Sequence, residues 1–258
     1  MSERATLVIP CFDEAERLDR NAVLSLLEDP ALAVLLVDDG STDGTADILR
    51  ALAAEHPGRI AWLGLDRNSG KAEAVRRGLL HALQTTPAIV GYADADFATP
   101  PAELRRLLQV LRASDAQVLL GSRVGLLGRE VARSPLRHYL GRVFATVASL
   151  ALRADVYDTQ CGAKLFRAGP ALATALAEPF ASRWVFDVEL LGRLLTGSAS
   201  APPMPPSAFI EEPLRVWRDV AGSKLRPAQM LGAVTDLARI GRDLARRRGA
   251  RSGRDGRD

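Results

Sequence analysis

Asp94 and Asp96 stand two residues apart, after the apolar run PAIVGYA and just before Thr99-Pro100-Pro101. The threonine is a natural cap and the prolines suit a first helical turn, so the two acids sit where a strand gives way to a helix. Two carboxylates at that spacing on a turning chain can face one hard divalent cation, which takes oxygen ligands and keeps several waters. Such a cation would neutralise a diphosphate and stabilise it as a leaving group. Alone, an Asp-x-Asp is a weak signal, because acids also decorate loops and cap helices.

It does not stand alone. DDGSTDGT (38–45) ends another apolar run with two adjacent acids, Asp38 and Asp39, and turns on Gly40 toward a helix starting near Asp43. Ser-Thr-Asp-Gly is ordinary turn chemistry and accounts for 41–45. It does not account for two acids side by side at a strand end, which can accept hydrogen bonds from a uracil N–H or from ribose hydroxyls. RNSGKAEAVRRG (67–78) puts Asn68, Gly70 and Lys71 at a helix start, where they can hold anionic oxygens or simply cap the helix. The spacing of a phosphate-binding Gly-x-x-x-x-Gly-Lys loop is absent. Asp13 and Glu14 follow a third apolar run, and His56, His81 and His138 are scattered without metal-ligand spacing.

The elements that must position these residues are legible as alternating patterns. Strands are expected at 6–10, 31–39, 59–65, 87–94 and 116–122, and helices at about 14–27, 44–55, 69–84 and 101–113. That alternation is the βαβ pattern of an α/β fold with a mostly parallel sheet, in which ligands bind beyond the carboxyl ends of the strands. The acidic clusters fall at those ends. The second half is less regular: helices at 134–152 and 185–195, a loop entering a strand at 158–166, and a Pro/Ser-rich loop at 196–207. The expected organisation is one domain over 1–225, a C-terminal helix over 226–247 with Met230, Val234, Leu237 and Ile240 on one face, and a basic tail without fixed structure over 248–258.

Composition agrees: 47% hydrophobic and 5% aromatic residues in 258 suit a buried aliphatic sheet. The net charge of +3 owes much to the arginine-rich C-terminus, so a nucleic-acid partner is not expected. Cys11 and Cys161 lie far apart, which speaks for a reducing compartment and against a disulfide framework. No secretory signal opens the chain, and no run approaches the ~20 apolar residues of a membrane-spanning helix. A cytoplasmic location is expected, with peripheral attachment to the inner membrane face as a variant.

IPCFDEAERL, LLVDDGSTDGT, NSGKAEAVRRG, YADADFATPPAEL, LLGSR and DTQCGAKLF follow one another in the order found in family 2 glycosyltransferases of the A-type fold. The chain resembles that family over roughly residues 5–225. Within it, the chain is most similar to polyprenyl-phosphate glycosyltransferases, and among these to the dolichyl-phosphate glucosyltransferase branch. The resemblance implies a Rossmann-like A-type glycosyltransferase fold. It implies inverting transfer of a hexose, glucose from UDP-glucose by preference, to a polyprenyl- or dolichyl-phosphate acceptor, with Mg²⁺ or Mn²⁺ as cofactor. Pro10, Asp13, Glu14, Asp38 and Asp39 would meet the nucleotide, and Asn68, Gly70, Lys71, Asp94 and Ala95 the rest of the donor. Asp94 and Asp96 would bind the metal and the donor diphosphate. Arg123 and Arg137 would meet acceptor or donor phosphate, Gln160 and Lys164 would lie near sugar and acceptor, and Trp184, Asp187 and Glu189 would lie near the same pocket.

Several departures matter. Ala98 stands where the mannosyl branch usually has Gln, which leans toward glucosyl transfer, and Ala72 follows Lys71 where the family often has Gly. Many relatives carry membrane helices that this chain lacks. Access to a lipid would then rest on surface contact, for which 137–153, with Leu136, Leu140, Phe144 and Leu150, is a candidate amphipathic helix, or on a membrane partner protein. A lipid phosphate needs no strong base; a hydroxyl acceptor would, and Asp187 and Glu189 are the candidates. A family 2 enzyme acting on a soluble hydroxyl, and a non-catalytic nucleotide-sugar-binding module, are the alternatives.

Overall fold

The computed structural model describes residues 2–131, 135–218 and 227–255. Five strands and four helices alternate first: β1 (Ala5–Cys11), α1 (Arg20–Leu26), β2 (Leu32–Asp38), α2 (Thr45–Glu55), β3 (Ile60–Gly64), α3 (Lys71–Gln84), β4 (Ile89–Ala93), α4 (Pro101–Arg112) and β5 (Val118–Ser122). Then come β6 (Glu130–Val131), α5 (Pro135–Leu152), β7 (Ala163–Arg167), α6 (Pro170–Leu176), α7 (Phe186–Thr196), β8 (Phe209–Pro213), β9 (Val216–Trp217) and α8 (Pro227–Asp255).

The main sheet runs β3-β2-β1-β4-β7-β5-β8, with only β7 antiparallel to its neighbours. Both faces are covered, which is why the strands are aliphatic almost throughout. Period-two alternation divides the core: Leu7 and Ile9 of β1, with Val34 and Leu36 of β2, join the layer under α1, α2 and α4, whereas Val8, Leu35 and Val37 join that under α3 and α5–α8.

The expected elements of the first half are all present, β1 one residue longer at each end and the others trimmed. The 14–27 helix begins only at Arg20, because the Asp19 carboxylate accepts from Ala22 N and caps it there; the chain before it turns. In the second half, α6 and the parallel edge strand β8 were not expected. Helix α8 continues past 247 to Asp255, through residues assigned to an unstructured tail. Ala and Arg propagate a helix readily once it is nucleated, and no proline interrupts the run. Met230 and Val234 have side chains outside the described residues; Leu237 and Ile240 are buried as expected.

Candidate active site

β1 lies between β2 and β4, with Cys11 opposite Asp38 in register, so chain connections diverge to either side of it. The loops leaving β1, β2 and β4 open on one rim at that divergence, the place where open α/β sheets bind ligands. Asp38 ends β2, and Asp13, Glu14, Asp39, Asp94 and Asp96 belong to those loops.

The β1 and β2 loops are laced to each other by side chains. Asp13, at φ 48°, accepts from Thr42 N at 2.9 Å, and its own N–H donates to Ser41 Oγ. Glu14 N donates to Thr45 Oγ1 at 2.8 Å, and Asp38 Oδ1 accepts from Ser41 N and Oγ. Asp39 is buried and reaches the β3–α3 loop, accepting from Ser69 N at 2.8 Å and Gly70 N at 2.7 Å. Burial raises the Asp39 pKa; the two N–H donors and the charge of Arg183 work against it. Gly40, at φ 69°, admits no side chain: a β carbon would overlap the backbone at Arg67 and Asn68. The acids therefore shape this rim by holding loops together. Asn68 is exposed on it, Pro10 is half-buried inside β1, and Ala95 is buried between the two acids of the pair.

Asp94 is set by the chain packed beside β4. Its N–H donates to Gly162 O at 3.1 Å, and its carboxylate lies on Gly162, where any β carbon would overlap it. Lys71, the first residue of α3, places Nζ 2.5 Å from Asp94 Oδ1. Asp96 is exposed and accepts from Ala98 N at 3.0 Å; desolvation first, then the charge of Asp94, raises its pKa. Apart from Lys71, the buried Asp94 Oδ1 has no partner among the described residues. An underserved buried carboxylate oxygen beside a second acid fits a hard divalent cation. Among the described residues no third His, Cys, Asp or Glu gathers there, so water and a ligand's oxygens would complete the shell.

Other nominated residues sit deeper than expected. Lys164 is fully buried in β7, donating to Cys161 O at 2.6 Å and lying 2.6 Å from Asp187 Oδ1. Tyr92 OH donates to the same carboxylate. Glu189 accepts from Ala181 N at 2.8 Å and from Arg193 Nη2 at 2.7 Å. These three charges lie inside the wall rather than on its surface, because α7 buries its first turn and each charge must then be paired. Arg123 grips Asp158 with two bonds of 2.7 and 2.8 Å, and Glu211 accepts from Tyr157 N and Asp158 N. Both tie down the loop that carries Gln160 and Gly162. Gln160 Nε2, Thr159 Oγ1 and Ser122 Oγ are buried there without partners among the described residues. Arg137 falls within α5, but its side chain lies outside the described residues.

Sequence reasoning missed Arg183, whose Nη2 donates to Ser69 O at 3.0 Å beside Gly70. It also missed Asp158, Glu211 and Tyr92, the partners that hold nominated residues in place. An arginine in a loop 114 positions from its partner has no spacing to betray it. Trp184, nominated beside it, is exposed.

Residues 6–171 match the glycosyl transferase family 2 profile. The chain belongs to that family. A dolichyl-phosphate beta-glucosyltransferase of Trichomonas vaginalis is 31% identical over 253 residues, covering 91% of this chain and 70% of that protein. A polyprenol monophosphomannose synthase of Mycolicibacterium smegmatis is 27% identical over 228 residues, covering 88% and 84%. Among solved structures, glucosyl-3-phosphoglycerate synthase from Mycobacterium tuberculosis, in complex with Mn²⁺, UDP and glucosyl-3-phosphoglycerate, superposes with a TM-score of 0.62 at 19% identity, covering 96% of this chain and 80% of that one. This family 2 glycosyltransferase thus has the A-type fold on a mostly parallel sheet, with the Asp94–Asp96 pair on the rim where the β1, β2 and β4 loops open.

Proposed function

We propose that this glycosyltransferase moves a hexose, with inversion, from a nucleoside-diphosphate sugar to the phosphate of a polyprenyl-type lipid. The observation that carries the acceptor half is that both acids available as base for a hydroxyl are taken. Asp187 is held by Lys164 and Tyr92, and Glu189 by Arg193 and the Ala181 N–H. A phosphate monoester, with a second pKa of about 6, arrives largely ionised and needs neither. The dolichyl-phosphate and polyprenol relatives support the same acceptor class, and the glucosyltransferase among them, with Ala98, supports UDP-glucose as donor.

Asp94 and Asp96 would hold a Mg²⁺ or Mn²⁺ ion, which when bound offsets charge on the departing diphosphate. Lys71 lies beside Asp94 to share that task, the β1, β2 and β3 loops receive the nucleotide, and the loop that carries Gln160 abuts Asp94 through Gly162. Catalysis then rests on alignment and electrostatics more than on proton transfer. Among the described residues no helix is long and apolar enough to cross a membrane. A lipid would be met at a surface, and α5 exposes Val143, Val147 and Leu150 along one side, while Phe144 packs inward.

A second reading, transfer to a hydroxyl of a soluble acceptor, is favoured by the solved neighbour, which holds glucosyl-3-phosphoglycerate. One assay separates the two. UDP-glucose or GDP-mannose, radiolabelled, is offered with Mn²⁺ to a short polyprenyl phosphate and, separately, to phosphoglyceric acid, using wild type and Asp96→Ala. Label in the lipid from one donor, lost on chelation and in the variant, is the expected result. Label only in the soluble product establishes the second reading. Donor binding without transfer to either overturns the lipid-phosphate assignment.

A further inference from the structure

Lys71 is placed unlike any other cation of the site. Its ammonium lies 2.5 Å from Asp94 Oδ1, the oxygen that has no other partner among the described residues. Its side chain remains two-fifths exposed, so the ion pair is open to an incoming ligand. The backbone beneath it is fixed: Asp39 takes the N–H groups of Ser69 and Gly70, Arg183 braces the Ser69 carbonyl, and α3 begins at Lys71 itself. Only the four-carbon stem is free to swing. The charges facing the ammonium, after Asp94, are those of Asp187 and Asp96. Asp187 is already neutralised by Lys164, so Asp94 is the carboxylate with which Lys71 pairs.

We propose that Lys71 is a built-in counter-ion that occupies the metal position on Asp94 until the donor diphosphate draws it away, making metal and donor bind as a coupled pair. This rests on the reading of Asp94 and Asp96 as the metal ligands. Two cations do not share one carboxylate oxygen at contact distance without repulsion, and at a part-exposed site a unit charge so close is worth on the order of the ~1.4 kcal/mol that makes a tenfold difference. Paired with Asp94, the lysine therefore opposes the metal. A diphosphate offers the ammonium a better partner, and its departure frees Asp94 Oδ1 as a ligand. By linkage, each of metal and nucleotide then tightens the other by the same factor. A site that holds metal weakly until donor arrives also exposes little bare Lewis acid to water.

The test is binding, not turnover. Mn²⁺ affinity is measured by electron paramagnetic resonance for wild type, Lys71→Met, Lys71→Arg and Asp94→Asn without nucleotide, and UDP affinity by calorimetry with and without Mn²⁺. Lys71→Met is expected to bind Mn²⁺ alone about tenfold more tightly than wild type. In that variant the mutual enhancement between Mn²⁺ and UDP shrinks by a similar factor. Lys71→Arg, which keeps the charge, should behave like wild type, and comparing thermal midpoints establishes that both variants are folded. Equal or weaker Mn²⁺ binding by folded Lys71→Met overturns the proposal. If Asp94→Asn leaves Mn²⁺ binding untouched in the presence of UDP, the metal assignment itself falls, a different failure from that of the lysine.

Discussion

The two halves of the molecule handle charge in opposite ways. In the first half, acids at the ends of β1, β2 and β4 lie along the rim, where Asp13 and Asp39 accept backbone N–H groups from neighbouring loops and Asp38 and Asp96 from their own. In the second half, Lys164, Asp187, Glu189 and Arg193 neutralise one another inside the wall. The difference follows from topology. Parallel strands release their chain at the rim, where loop N–H groups meet the charge at Asp39 and solvent meets it at Asp96; the antiparallel β7 and the buried first turn of α7 run through the interior, where an opposite charge must. A charged residue in a motif thus ties loops together at the rim in one half and pairs with another charge inside the wall in the other.

The same exchange made in each half gives the sharpest contrast. Asp96→Asn should cut transfer on the order of a hundredfold or more, since metal stabilisation of a leaving group contributes several kcal/mol, while the urea midpoint scarcely moves. Asp187→Asn strands the Lys164 ammonium, which is fully buried, and breaking such a pair from one side costs about 3–5 kcal/mol. Its loss of activity should track its loss of fold. Replacing both partners, Lys164→Met with Asp187→Leu, should recover much of that stability, because an apolar pair leaves no orphan charge. If Asp187→Asn instead stays stable and loses only transfer, Asp187 touches substrate and the contrast between the halves collapses.

How far the sequence could be read follows the same division. The first-half strands and helices were legible because buried parallel strands are unbroken aliphatic runs and crossover helices have a fixed period. The acids there were legible because they end those runs. Strand β8 was not, since FIEEP carries two acids whose partners, Arg106 and the loop at 157–158, lie far away in sequence. Lys164, Asp187 and Glu189 were expected near sugar and acceptor and are found paired inside the wall, because motif spacing does not say whether a charge faces a cleft or another charge. Only the pairing partners decide that, and Tyr92, Arg193 and Cys161 O come together through the fold.

The join between the halves is Gly162, and it carries an intermediate effect. Its Cα supports the Asp94 carboxylate, so Gly162→Ala must push that carboxylate from its place or part β4 from the loop before β7. Mn²⁺ affinity in the presence of UDP should fall about tenfold, a misplacement cost of the kind expected when supporting residues of a metal ligand are altered. The thermal midpoint should fall less than for Asp187→Asn. Unchanged Mn²⁺ binding would mean that Asp94 finds its position from β4 alone, and that the second half supports the metal site less than the contact suggests.

The smallest expected effect is none, and it concerns the cysteines, one in each half. Burial, followed by the charge of Asp158, pushes the Cys161 thiol up to about 12; burial, followed by Glu14 and Asp38, raises that of Cys11 as well. The thiolate is the reactive form, and a group titrating near 12 is ionised to roughly one part in ten thousand at pH 8. Both thiols are also shielded from reagent. The folded protein should therefore give no thiol titre with a disulfide reagent at pH 8, and the denatured protein two. Moving to pH 9.5 should change little, since that remains well below the Cys161 value. Rapid reaction of Cys161 alone would show the loop bearing Gln160 and Gly162 opening on its own. The second half would then be a moving wall, and its buried ion pairs would be the latch that closes it.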